Sequence, residues 1–248
     1  MKSSRRILNF FVISLALALA FSALTATDPA RAAQQKTAQA KPKGGKQSAA
    51  DKNDDAMARA DQLYQLKKYS EAAAVMRPLA DNGDGRAAFA LGLMEARGNL
   101  GQPDYVKARS WWEKASAAGH PEAEYNLGLV YYRGVHEGGD GRDPARRDFV
   151  SAIKWWEKAA EHGHGGAMYS LAGMARTGEG QPKDPAKAAY WYRRASEVGH
   201  PEAQYQLAGL YLSGNGVEKN QAEAQKWMKK AADVGHPGAI QAMKLFKK

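Results

Sequence analysis

Apolar positions along most of this chain recur with the period of a helix, and the pattern itself repeats. In the stretch GHPEAQYQLAGLYLSGNGVEKNQAEAQKWMKKAADVGH, Ala203, Leu207, Leu210, Tyr211 and Gly214 share one helical face. Ala224, Trp227, Ala231 and Val234 then follow at helical spacing on a second face. The spacing predicts two helices per unit, each with an inward stripe. The same positions return as Ala123, Leu127 and Tyr131, then Ala152, Trp155 and Ala159; they return again as Ala167 and Leu171, then Ala188, Trp191 and Ala195. Units begin at Gly83, Gly119, Gly163 and Gly199, with a fifth start at Gly235, so the spacings are 36, 44, 36 and 36 residues. The 44 is a 36 carrying eight extra residues inside VHEGGDGRDPARRD, between Gly134 and Ala152.

Local signals agree with the period. Gly119, Gly199 and Gly235 stand where a second helix must end in a left-handed residue. Pro121, Pro201 and Pro237 follow two residues later, suited to the first turn of the next helix, with Glu122 and Glu202 at its positive end. Asp143-Pro144 and Asp184-Pro185 have the form of N-cap and first-turn pairs for second helices. Gly92, Gly128, Ala172 and Ala208 occupy one column, where a small residue lets a neighbouring helix approach and the Trp of the second helix fill the space. Residues 54–82 form a shorter pair with Leu63, Tyr64, Tyr69 and Ala72, and Pro237 to Lys248 gives one terminal helix whose Gln241 and Lys244 make a polar end.

The N-terminal segment is different. Lys2, Arg5 and Arg6 precede an apolar run from Ile7 to Leu24, and small-residue cleavage signals follow at Leu24-Thr25-Ala26 and Ala30-Arg31-Ala32. Residues 1–32 are expected to be a secretory signal; an uncleaved anchor is the rival, at the short limit for spanning a bilayer. Residues 33–55 are Ala, Gln, Lys and Gly without apolar periodicity and are expected to be a disordered linker, leaving 56–248 for the repeats. The expected location is periplasmic or secreted, with no membrane span after signal cleavage. There is no cysteine, so neither a disulfide nor a lipid-bearing cysteine is available. The formal charge is +10, and loss of residues 1–32 removes a net +3, leaving +7. For an exported chain this favours an anionic envelope polymer over nucleic acid as a charged partner.

The pattern A-x-Y-x-L-G/A…G…A-x-x-W-x-x-K-A-A-x-x-G-H resembles the Sel-one-like repeat, a branch of the tetratricopeptide superfamily. AEYNLGLVYYRG with AIKWWEKAAEHGH, and AQYQLAGLYLSGNGV with AQKWMKKAADVGH, carry it across residues 83–236. The first unit departs, with Phe89 for Tyr and Met94-Glu95 at a usual aromatic position; the third has Ala175 there. The resemblance implies an all-α, right-handed α-solenoid of two-helix repeats whose first helices line a concave side. It implies scaffolds for protein complexes, envelope assembly or signalling.

Candidate chemistry is sparse. His120, His164, His200 and His236 fall in one column and lie a repeat apart, roughly 10 Å on helix-packing distances, too far to share an ion. His162 and His164 lack acidic or cysteine partners at ligand spacing, so no metal is expected; the column is read as junction histidines contacting the last carbonyls of the preceding helix. Glu137, Asp140 and Asp143 lack the spacing of a calcium loop. Ser151-Ala152-Ile153-Lys154 with Arg176-Thr177-Gly178 imitates penicillin-recognising enzymes, but the S-D-N element is missing and the residues fall on repeat positions. An envelope hydrolase is therefore the minor alternative, and a membrane-tethered assembly factor another; no catalytic residue and no cofactor are expected. Trp111 and Trp155 are assigned to the core, with Trp112, Trp156, Tyr192 and Met228 half-buried beside them. The polar flank of the first helices, Arg97, Asn126, Arg133, Ser170, Thr177, Gln206 and Ser213, is the candidate surface for a protein or peptide partner.

Overall fold

A computed structural model describes residues 48–134 and 146–245. The described residues from Ala49 onward form one body of eleven helices and no strand. These are α1 (Ala49–Gln65), α2 (Tyr69–Asp81), α3 (Gly85–Ala96), α4 (Tyr105–Ala117), α5 (Pro121–Arg133), α6 (Phe149–Glu161), α7 (Gly165–Thr177), α8 (Pro185–Glu197), α9 (Pro201–Ser213), α10 (Gln221–Asp233) and α11 (Pro237–Leu245). Each helix packs on its neighbours in sequence, as in an α-solenoid of two-helix repeats. Odd-numbered helices are the first of each pair and even-numbered ones the second.

Two backbone staples recur in every unit. Between units, glycine takes a left-handed conformation (φ +75° at Gly119, +88° at Gly199), and the next N–H reaches back: His120 to the Ala115 carbonyl, His200 to that of Ala195. Within units, the N-cap residue of the second helix donates its N–H to the first helix, from Asp104 to Glu95, Asp148 to Tyr131, Asp184 to Ala175 and Asn220 to Tyr211, all at 2.9–3.0 Å. The second unit keeps this staple despite its eight extra residues, so the insertion leaves the junction unchanged.

Several expectations change. α1 begins at Ala49, inside the stretch assigned to the linker; two alanines open it and Asp51 stands in the first turn, at the positive end of the helix dipole. The cap of α6 is Asp148, whose side chain accepts from the Ser151 N–H, rather than Asp143, which with Pro144, Glu137 and Asp140 lies outside the described residues. Asp184 does cap α8, with Pro185 at its first position. Asp184→Ala should cost about 1 kcal/mol, a fall in Tm that thermal unfolding would detect. Val234 is 58% exposed, because it stands past the end of α10 and not on its inward stripe.

The tryptophan order also reverses. Trp112 and Trp156 are the buried members of their pairs, as is Tyr192 in the third unit, while Trp111, Trp155 and Trp191 are half-buried; in the last unit Trp227 and Met228 are both buried, so there the expected core position of Trp227 holds. The small column faces this second position: a Cβ on Gly92 would overlap the Trp112 indole, and one on Gly128 that of Trp156. Where the second helix carries Tyr192 or Met228, the first carries Ala172 or Ala208. Size is matched unit by unit, glycine against tryptophan and alanine against the smaller side chain.

Candidate functional site

Three of the four junction histidines cap helices with their side chains, and His120, whose Nδ1 lies 3.2 Å from Glu122 Oε2, does not. His164 Nδ1 accepts the Ala167 N–H at 3.0 Å, His200 Nδ1 that of Ala203 at 3.2 Å and His236 Nδ1 that of Ala239 at 3.1 Å. The side chain thus serves the following helix, and only the backbone N–H serves the preceding one, which corrects the sequence expectation. Each ring also stacks on an aromatic one unit earlier: Phe89 with His120, Tyr125 with His164, Tyr169 with His200, Tyr205 with His236, at centroid distances of 4.3–4.9 Å. Accepting at Nδ1 places the proton of the neutral ring on Nε2. In His236 that nitrogen meets Glu202 Oε2 at 2.8 Å.

Burial holds His164 and His200 below the usual imidazole range. The unfolded chain therefore takes up protons below about pH 6.5 that the folded chain refuses. Stability from these caps is present above that pH and falls as the solution is acidified. Glu122, whose Oε2 lies 3.2 Å from His120 Nδ1, is held down to about 2, so its contribution is lost on further descent below the ordinary glutamate range. The expected result is a Tm that declines from pH 7.5 to 5.5, with a shallower slope in His164→Asn plus His200→Asn, which keeps a side-chain acceptor at both caps.

One cluster interrupts the repeat. Glu124 on α5 is 0% exposed, in a column otherwise filled by Ala88, Met168, Gln204 and Ile240. Its Oε1 lies 3.2 Å from Lys158 Nζ and accepts from Ser116 Oγ at 3.3 Å; its Oε2 lies 2.7 Å from His162 Nδ1. Lys158 also donates to Ser116 Oγ at 2.7 Å and sits 5.4 Å from the Trp155 ring. His162 stands where Ala118, Val198 and Val234 stand elsewhere, and Ser116 where Ala80, Ala160, Ser196 and Ala232 do. Sequence reasoning passed over this cluster, having sought acidic partners of His162 only at metal-ligand spacing. A comparison of columns, showing an acid among uncharged residues, would have raised it. Ser116 next to Lys158 has the spacing of a serine–lysine pair, but Ser116 is buried and its hydroxyl is turned to Glu124. The arrangement neutralises a buried carboxylate and ties α4, α5 and α6 together.

The imitation of a hydrolase motif dissolves into local structure. Ser151 donates to the cap Asp148 at 2.6 Å, Lys154 is exposed, and Gly178 is the left-handed end of α7. Among the described residues no group of three or more His, Cys, Asp or Glu could hold a metal ion, and no helix is long and apolar enough to cross a membrane.

The seven polar candidates all lie on first helices or at their ends. Asn126, Ser170 and Gln206 share one column; Arg97, Arg133, Thr177 and Ser213 share another, seven residues on. All are half-buried except Thr177 and Ser213, which are exposed. Ser170, Thr177 and Ser213 return their hydroxyls to carbonyls four residues back, Gln206 donates to Glu202 at 2.9 Å, and Arg97 donates to the Tyr64 hydroxyl at 3.1 Å.

A sequence model of the Sel1 repeat matches residues 85–120, 121–164, 166–200 and 201–236. The chain belongs to the Sel1 repeat family. Members of this family are generally scaffolds for protein–protein interaction. A Sel1 repeat protein from Oxalobacter formigenes is similar at 30% identity and a TM-score of 0.64, over 74% of this chain and 72% of that one. The c5321 protein, a protective antigen present in uropathogenic Escherichia coli strains displaying an SLR fold, is similar at 30% identity and a TM-score of 0.60. That match covers 67% of this chain and 34% of c5321, so the chain spans about a third of that protein's length.

Proposed function

We propose that this Sel1 repeat chain is an exported scaffold that binds a protein or peptide segment on the concave side formed by its first helices, in the bacterial envelope or outside the cell. The carrying observation is how the polar residues divide. Motif histidines, caps and small residues are spent on packing and junctions, while Asn126, Arg133, Ser170, Thr177, Gln206 and Ser213 repeat in two columns and keep polar atoms at the surface. A periodic polar strip on a solenoid suits an extended segment that passes from unit to unit. The hydroxyls already bonded to their own helices retain acceptor capacity, so a partner's N–H groups need not displace those bonds.

Export rests on the charged and apolar pattern of residues 1–32. N-terminal sequencing of the protein from its native cell should begin at Thr27 or Ala33; a chain that retains the apolar run contradicts release and favours the anchored alternative. The binding surface is tested by affinity capture from an envelope extract with wild type and with Asn126→Ala plus Arg133→Ala. A protein held by the wild type and lost from the variant, which should melt within a few degrees of it, supports the proposal. Equal capture by both chains contradicts it.

A further inference from the structure

We propose that the outer edge of α8 and α10 is a second docking surface, for an acidic segment of a protein partner. The observation is a reversal of charge along one column of the second helices. In the first two full units the residue after Trp112 and Trp156 is acidic, Glu113 and Glu157; in the last two, the residue after Tyr192 and Met228 is basic, Arg193 and Lys229. Each is followed by a cation, so the neutral pairs Glu113-Lys114 and Glu157-Lys158 become the doublets Arg193-Arg194 and Lys229-Lys230.

The cations of the earlier units are engaged. Lys114 pairs with Asp81 at 2.7 Å and Lys158 with Glu124 at 3.2 Å. Among the described residues, none of the four doublet cations makes an ion pair. Arg193 instead donates to the Tyr211 hydroxyl at 2.8 Å, and Arg194 and Lys230 lie over the Trp191 and Trp227 rings at 5.6 and 4.3 Å. These aromatic contacts fix where the charges stand without neutralising them. The acids at hand do not cancel them either. Glu223 feels the charge of Arg193 but is bonded to Lys226 and to the Trp227 N–H, and Glu197 and Asp233 are exposed one turn beyond the doublets, with no ion pair to them. Tyr190, in the column of Ser110, Lys154 and Lys226, is 52% exposed beside Trp191 and adds an uncovered aromatic to the edge.

The doublets lie one repeat apart, on the order of 10 Å. Carboxylates three residues apart on a polyproline II segment, which has three residues per turn, lie on one side of the chain about 9 Å apart. Arg193 and Arg194 bring the planar fork that recognises a carboxylate, which favours an acidic peptide over a diffuse anionic surface. This surface is on the second helices and stands or falls apart from the polar strip of the first.

The test uses the full chain and a fluorescein-labelled peptide with glutamate at every third position, followed by anisotropy. The variant is Arg193→Glu plus Lys229→Glu, which restores the residue found in the same column of the earlier units and so should keep its Tm. Wild type is expected to bind, with affinity falling as salt is raised, and the variant to bind about tenfold or more weaker. Asn126→Ala plus Arg133→Ala should leave this binding unchanged. Equal binding of the wild type and the charge variant, equal binding of a glutamine version of the peptide, or no peptide binding beside charge-dependent binding to phosphatidylglycerol vesicles would each overturn the proposal.

Discussion

Gly128→Ala should destabilise the chain by about 1–3 kcal/mol, although alanine is the better helix former by about 1 kcal/mol. The new methyl group would enter the indole of Trp156, a rigid ring whose N–H is fixed to the Tyr125 carbonyl at 3.2 Å. Neither side can yield cheaply, because α5 and α6 are held together at the Tyr131–Asp148 staple. Two controls separate packing from propensity. Gly209 lies in the middle of α9 with open space where a Cβ would stand, so Gly209→Ala should stabilise by about 0.5–1 kcal/mol. Adding Trp156→Tyr to Gly128→Ala recreates the alanine–tyrosine pairing of Ala172 with Tyr192 and should recover part of the loss. Chemical denaturation of the four chains measures all of this, and equal signs for Gly128→Ala and Gly209→Ala would mean that size matching does not set the interface.

Lys158→Ala should cost about 2–3 kcal/mol, because it leaves the buried Glu124 carboxylate without its lysine partner. The loss is held below that of a fully enclosed pair by the exposure of the lysine, 42%, and by His162, which stays at 2.7 Å. Glu124→Met, copying Met168 in the same column, removes the charge together with its need for partners and should be nearly neutral. Lys158→Ala made on top of Glu124→Met should then cost under about 1 kcal/mol. That non-additivity, read from denaturation midpoints, is the specific mark of a buried charge cluster. Additive losses would reduce Lys158 to a surface residue.

Most of the fold was legible because each unit repeats its own instructions. The left-handed glycines, the prolines at the first turn and the small column are local requirements, and the return of each in three or more units makes accident improbable. What escaped was of two kinds. Which tryptophan of a pair is buried depends on how far a helix is rotated on its neighbour, and a shift of one residue, about 100°, exchanges Trp111 with Trp112. The Glu124 cluster depends on contact between residues far apart in sequence, Ser116, Glu124, Lys158 and His162, and no stretch of chain shows it. The histidines fell between these cases. Their column was evident, but whether an imidazole serves the helix before or after it is decided by the direction of the ring, which the stacked aromatic sets. The polar strip was chosen by phase and repeat position alone, and the structure sets its members on first helices or at their ends, half-buried or exposed.

The central claim is that partners engage the first-helix strip. Site-directed photo-crosslinking in the native cell tests it most directly. A photoreactive residue at Asn126 or Gln206 should give a crosslinked species of higher mass, and the same residue at Lys154, exposed on a second helix outside the basic doublets, should not. Crosslinks from Lys154 with none from Asn126 or Gln206 would contradict the account.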